Sequence, residues 1–112
     1  MARSKQIEHA RRTNFAVTFS NGNKGRTAKL ELVGGDVGAQ TLVSRGSFFA
    51  LDRDPEGKGD DVVISMGKEA PELSHTVDRP SEIWQQQDDN GLVTSIEIVD
   101  EKGNKLIVTF FE

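Results

Sequence analysis

His75 is the side chain in this sequence that is best suited to acid–base chemistry. Asp78 and Glu82 follow it as carboxylates that could orient its ring, and Ser65 and Ser74 are hydroxyls that it could activate. Nothing in the spacing brings these partners together, and a strand histidine of this kind is more often buried beside a backbone hydrogen-bond partner. We therefore predict no catalytic residue and keep His75 as a candidate ligand site.

A run of acidic side chains has the rhythm of a calcium-binding loop, in which oxygen ligands at alternate positions precede a glycine. Its candidate metal ligands are Asp52, Asp54, Glu56 and Asp60. The twelfth position is Val63, where such loops carry a bidentate glutamate, and a solvated acidic loop is the commoner reason for such a run. We predict no bound metal and no cofactor.

Charge is distributed unevenly along the chain. Residues 1–29 contain seven basic residues and one acidic residue, whereas residues 30–112 contain seven basic and seventeen acidic residues. A basic end can bind nucleic acid, and Phe48, Phe49 and Trp84 could stack on bases, but the acidic body opposes phosphate binding. The alternative nucleic-acid surface would consist of Arg3, Lys5, Arg11, Arg12, Lys24 and Arg26. We instead favour a basic segment that folds back on the acidic body or on a neighbouring copy.

Length and composition are typical of one domain. A chain of 112 residues can bury roughly two-thirds of its unfolded surface. It has no cysteine, and it has no apolar run of the ~18–20 residues that a membrane span requires. We expect a cytoplasmic protein without a membrane span.

The stretch from Leu92 to Phe111 predicts a β-hairpin, because two β-branched runs flank a turn with glycine at position 103. The register that keeps one face apolar pairs Ile98 with Leu106 and Ile96 with Val108. One predicted face is core: Ile96, Ile98, Leu106, Val108 and Phe110. The other predicted face carries Val93 opposite Phe111, together with Ile107, as an apolar strip that a helix or a partner must cover.

Earlier segments predict further short strands, from the alternation of apolar and polar residues at 27–33, 39–43, 47–51, 62–66, 73–77 and 81–87. The segment before Gly25 is ambiguous. Phe15–Phe19 alternates like a strand, but from about Ser4 the apolar residues also fit one face of a helix.

Several stretches taken in order resemble a known family. They are Leu30-Glu31-Leu32-Val33-Gly34, Asp36-Val37-Gly38-Ala39-Gln40, Val63-Ile64-Ser65-Met66-Gly67, Ser74-His75-Thr76-Val77 with Pro80, and Ile96-Glu97-Ile98-Val99-Asp100 with Gly103. Together they resemble the small bacterial proteins of domain-of-unknown-function family 5335, over nearly the whole chain beyond Arg12. The resemblance implies no activity, cofactor or catalytic residue, but it implies a helix before Gly25, ending near Asn21.

These observations predict one α+β domain at 13–112, with residues 1–12 as a basic arm or the start of the helix. The helix is expected to pack on a strongly bent, barrel-like antiparallel sheet of six or seven short strands that ends in the C-terminal hairpin. We favour a non-enzymatic binding or self-association module with a protein partner, and we expect no nucleic acid. Its predicted interface is Val93, Ile107, Phe111 and Trp84. The alternatives are a small-ligand-binding protein or enzyme with a site near His75 and Trp84, and nucleic-acid binding through the basic segment.

Overall fold

The computed structural model describes residues 3–35, 38–54 and 61–111. Two short elements come first, followed by one α-helix and seven further strands. In chain order they are β1 (Arg3–Gln6), a 3-10 helix (His9–Arg11), α1 (Arg12–Asn23), β2 (Thr27–Gly34), β3 (Gly38–Asp54), β4 (Asp61–Met66), β5 (Leu73–Val77), β6 (Glu82–Gln87), β7 (Val93–Val99) and β8 (Lys105–Phe110). Within these ranges no helix is long and apolar enough to cross a membrane.

The strands form one antiparallel sheet in the order β1-β6-β7-β8-β2-β3-β4-β5. The α+β class is confirmed, but the expected count of six or seven strands is wrong, because the described residues form eight. The sheet is also open and not closed like a barrel, since among the described residues β1 pairs with β6 alone and β5 with β4 alone. The additional strand is β1, in a segment that we expected to be an arm or the start of the helix.

Helix α1 begins later than predicted, at Arg12 instead of about Ser4, and ends at Asn23. Its buried residues are Arg12, Ala16, Phe19 and Asn23, which form a single stripe at helical spacing. Threonine, asparagine and glycine are weak helix formers, so packing of this stripe is what stabilises so short a helix. The chain leaves the helix through Gly25, which has φ 90°.

The helix packs on the sheet through an aromatic cluster. The Phe19 ring lies 5.5 Å from Phe48 and 5.9 Å from Phe110, measured between centroids. Ser20 fixes the helix to β3, because its hydroxyl oxygen accepts the Leu51 N–H and donates to the Leu51 carbonyl, both at 2.9 Å. The core therefore lies between α1 and one face of the sheet.

The C-terminal hairpin has the predicted register: Ile98 pairs with Leu106 and Ile96 with Val108, and all four side chains are buried. Gly103 has φ 86°, and its N–H donates to the Asp100 carbonyl. The Asp100 carboxylate accepts the backbone N–H groups of Lys102 and Asn104, each at 2.9 Å. Local turn chemistry thus fixes the register.

The prediction for the start of β7 is wrong. The register between β6 and β7 shifts after Gln86, so that Gln87 pairs with Val93. A shift of one residue transfers a side chain to the other face of a sheet. Val93 accordingly packs against the core cluster and does not share a face with Ile107.

Candidate functional site

The face of the sheet opposite α1 is a surface that no described element covers. Within the described part of the chain, α1 is the element that packs across the sheet, and it does so on the core face. The name outer face is used here for the opposite side of β2, β6, β7 and β8. Its central side chains are Val33, Trp84, Val99 and Ile107, with Glu31, Glu82, Glu97, Lys29 and Lys105 among them.

Strand pairing brings Trp84 and Ile107 into one row of the outer face. Trp84 pairs with Glu97 on β7, and Glu97 pairs with Ile107 on β8. Residues directly opposite each other in an antiparallel sheet share a face, so Glu97 lies between the two apolar side chains. Both apolar side chains are half-buried by their neighbours in the sheet.

Charged side chains on the outer face are partly paired with each other. Glu82 accepts the indole N–H of Trp84 at 2.6 Å, which fixes the ring against the sheet. Lys105 lies 3.6 Å from the Glu97 carboxylate, and Lys29 lies 3.2 Å from that of Glu31. The outer face therefore alternates apolar and charged side chains, and the acidic side chains outnumber the basic ones.

The four residues of the predicted interface do not form one strip. Trp84 and Ile107 lie together on the outer face, whereas Val93 packs toward the core. Phe111 is half-buried, and the Arg45 guanidinium lies 5.0 Å from the centroid of its ring. The sequence pattern alone placed Val93 beside Ile107, because the bulge that turns Val93 inward lies in the pairing with β6 and leaves no local signature.

His75 lines a separate cavity of about 390 Å³ between β5 and the turn that joins β7 to β8. Asp78 from the end of β5 and Asp100 from the turn line the same cavity, and Leu32 and Leu106 contribute apolar lining. The structure therefore places His75 in a pocket with carboxylates, which the sequence could not show. Asp100 already accepts two backbone N–H groups of its own turn.

The serines predicted as partners of His75 lie elsewhere. Ser74 and His75 are consecutive residues of β5, and consecutive side chains of a strand point to opposite faces. The Ser74 hydroxyl instead lies 3.0 Å from that of Ser65 on β4. Glu82 is on β6 and binds Trp84. A nucleophile–base pair between these serines and His75 is therefore not formed.

Two of the four candidate calcium ligands lie outside the described residues. Asp52 is exposed on β3 and pairs with Val63, and the backbone of Asp54 pairs with that of Asp61. Glu56 and Asp60 lie outside the described ranges. Within residues 3–35, 38–54 and 61–111, no three acidic or histidine side chains come together as a metal site.

Four of the basic side chains near the N-terminus contact the protein itself, among them Arg11, which lies 3.9 Å from the Glu8 carboxylate. Arg12 is 4% exposed and donates to the carbonyl oxygens of Pro80 and Ser81, at 2.9 and 3.1 Å. Arg26 donates to the Val93 carbonyl at 2.9 Å, and the Lys24 ammonium lies 4.4 Å from the centre of the Phe49 ring. Arg12 and Arg26 thus donate hydrogen bonds to backbone carbonyls of the chain, whereas Lys24 is exposed beside an aromatic ring.

No curated protein and no solved structure matches this chain. The resemblance noted in the sequence is nevertheless confirmed over essentially the full length. Residues 3–112 match the family of unknown function DUF5335, and the chain belongs to that family.

Proposed function

We propose that this protein is a non-enzymatic protein-binding module and that the outer face is its binding surface. The observation that carries the proposal is the row formed by Trp84 and Ile107 on a sheet face that no described element covers. Tryptophan is enriched among the side chains that dominate binding energy, especially where apolar neighbours surround it. Val99 and Val33 lie in the adjacent row of the same face, with Lys105 between them.

The charges on this face indicate the chemistry of the partner. Glu31, Glu82 and Glu97 outnumber Lys29 and Lys105, and each lysine is already near a glutamate of the same face. A complementary protein surface would present an apolar side chain to Trp84 and Ile107, with lysine or arginine around it. Such a partner would bury Trp84 and Ile107 and make ionic contacts with the glutamates beside them, including Glu97.

The placement of the basic residues supports a protein partner over a nucleic acid. Arg12, Lys24 and Arg26 are engaged by backbone carbonyls or aromatic rings of the chain itself. Nucleic-acid binding depends on cations that can neutralise phosphates, and the rest of the chain is strongly acidic.

Trp84 is the single tryptophan of the chain, so its fluorescence reports directly on the outer face. The tagged chain, Ile107→Glu and Val17→Glu would be used to capture proteins from the source lysate. Val17 is the matched control, because it is an apolar side chain that is 59% exposed on α1. We expect a protein that the chain and Val17→Glu retain and Ile107→Glu loses.

The captured protein, once purified, would be titrated against the chain while Trp84 emission is recorded. A saturable emission change with the chain, absent with Ile107→Glu, supports the proposal. If no protein distinguishes the chain from Ile107→Glu, or if the captured protein leaves Trp84 emission unchanged, the outer face is not the binding surface.

The cavity at His75 favours a second candidate, a small-ligand-binding function. Its volume of about 390 Å³ falls within the range of about 300–1,000 Å³ that is common for ligand pockets. The carboxylates of Asp78, Asp100 and Glu101 outnumber the single ammonium of Lys102 in its lining and would attract a cation, and Leu106 would contact an aliphatic group. Nuclear magnetic resonance of the His75 ring during titration with butylamine, and with butyrate as the anionic control, tests this. A saturable shift with butylamine alone supports a site, and the same response to both compounds removes it.

A further inference from the structure

The two edge strands of the sheet differ in how well their sequences block pairing with another chain. An edge strand exposes a row of unpaired N–H and C=O groups, and proteins usually block such rows with charges, prolines or bulges. Strand β1, at one edge, contains Arg3 and Lys5 within its four residues. Strand β5, at the other edge, reads Leu-Ser-His-Thr-Val and contains no aspartate, glutamate, lysine, arginine or proline, and its one titratable side chain is His75.

Strand β5 is also straight and exposed. It pairs with β4 over all five residues without a register shift, and in the described part of the chain β4 is its neighbour in the sheet. Leu73 is 39% exposed, and Ser74 and Thr76 are exposed as well. The first half of β3 likewise has a neighbour on one side only, but two register shifts interrupt its ladder with β2 and Arg45 lies near its end. Bulges of that kind twist an edge away from flat pairing.

The sequence of β5 is complementary to itself. In antiparallel pairing about a two-fold axis at His75, Leu73 lies opposite Val77 of a second copy, and Ser74 lies opposite its Thr76. Leu73 and Val77 then meet on either side of two facing His75 side chains on one face, and the hydroxyls meet on the other. A shift by one residue would place Leu73 opposite Thr76 and lose both matches. Self-complementarity of this kind is what a two-fold interface between identical chains requires.

We propose that two copies of this chain pair antiparallel along β5, which joins their eight-stranded sheets into one continuous sheet. The interface goes beyond the proposed function, because it uses the sheet edge and leaves both outer faces open. Glu72 and Asp78 flank β5 and would lie opposite each other across the axis, so the ladder stops at five residues a copy. A short ladder of this kind makes a small interface, and the dimer dissociates on dilution.

Sedimentation equilibrium tests the dimer with the full chain, over about 10 µM to about 500 µM, a range suited to weak interfaces. The variant Thr76→Lys places a charge on the exposed edge, and Thr41→Lys places the same charge at an exposed position of β3. We expect the average molar mass of the unmodified chain and of Thr41→Lys to rise with protein concentration toward that of a dimer. Thr76→Lys should raise the dissociation constant at least about tenfold, because the added charges oppose edge pairing.

A monomeric mass for the chain throughout the range overturns the proposal, as does a Thr76→Lys variant that dimerises like the chain. If Thr41→Lys is monomeric while Thr76→Lys still dimerises, the interface lies on β3, and the proposal of a β5 interface is likewise overturned. Hydrogen exchange of the unmodified chain gives an independent measurement if Thr76→Lys does not fold. Amides of Leu73–Val77 should become more protected as concentration rises, while those of Arg3–Gln6 should not.

The test of the β5 dimer can be distinguished from the test of partner binding by the outer face. Ile107→Glu removes the proposed partner surface but lies away from β5, so its dimer mass should equal that of the unmodified chain. An Ile107→Glu variant that no longer dimerises would contradict the β5 interface.

Discussion

Arg11 and Arg12 show how adjacent identical residues acquire different roles. Arg12 is 4% exposed and donates to the carbonyl oxygens of Pro80 and Ser81, which lie between β5 and β6. The Arg11 side chain is 79% exposed and lies 3.9 Å from Glu8. The helix thus uses one guanidinium to hold the segment that connects two strands, and exposes the other.

We expect Arg12→Met to lower the free energy of unfolding by about 2–3 kcal/mol, because it removes charge-assisted hydrogen bonds and leaves two carbonyls unsatisfied. The matched variant Arg11→Met should change it by less than about 0.5 kcal/mol. Urea denaturation at constant pH measures both. Equal midpoints for the two variants would show that the contacts of Arg12 do not contribute to stability.

The inward position of Arg12 could not be predicted from composition. Both arginines follow Ala10 and precede Thr13, and the phase of the helix decides which one turns inward. That phase depends on how Ala16 and Phe19 dock on the sheet, which is a contact with residues far along the chain. The sequence did predict that the basic segment folds on its own body as one alternative, and Arg12 is an instance of such a contact.

Among the elements, the C-terminal hairpin was the most predictable. Its register follows from local information, namely the alternation of Ile96 and Ile98 against Leu106 and Val108 and the turn chemistry of Gly103. Strand β1 is the opposite case. Its sequence, Arg-Ser-Lys-Gln, has no apolar residue, and it becomes a strand because β6 offers a free edge to pair with.

Gly67 fixes the turn that places β5 beside β4. Its φ is 154°, its N–H donates to the Ser47 carbonyl, and an added methyl group would collide with the Ala70 carbonyl oxygen. We expect Gly67→Ala to lower the free energy of unfolding by about 2–4 kcal/mol, through backbone strain and the collision.

Gly22 gives the control for this substitution, because it lies in helix α1 and nothing is within 4 Å of the position of an added methyl group. Alanine is a better helix former, so Gly22→Ala should raise the free energy of unfolding by up to about 1 kcal/mol. Denaturant midpoints of the two variants should shift in opposite directions. A shift of Gly67→Ala in the stabilising direction would show that the turn relaxes around the methyl group.

At the scale of the molecule, the candidate surface depends on pairings that sequence cannot supply. Trp84 and Ile107 were each predicted to contribute to an interface, but they lie on β6 and β8 and fall in one row only because Glu97 of β7 pairs with both. The same non-local pairing turns Val93 inward. The cavity at His75 likewise arises because the open sheet brings the end of β5 near the turn between β7 and β8.

The aromatic cluster around Phe19 should make helix and sheet unfold together. Phe19 is 3% exposed and contacts Phe48 on β3 and Phe110 on β8, so its ring joins the helix to two strands of the sheet. We expect Phe19→Ala to lower the free energy of unfolding by about 3–5 kcal/mol, because the lost apolar contacts leave a cavity. Val17→Ala, at a position that is 59% exposed, should change it by less than about 0.5 kcal/mol.

The helix and the sheet can be followed separately in the same titration. Far-ultraviolet circular dichroism reports on the backbone, including α1, and Trp84 emission reports on the face of the sheet opposite the helix. If the cluster couples the two, both signals change at one denaturant concentration in the unmodified chain, and both midpoints fall together in Phe19→Ala. A Trp84 transition that keeps its midpoint in Phe19→Ala while the backbone signal shifts would show that the sheet is stable without the helix.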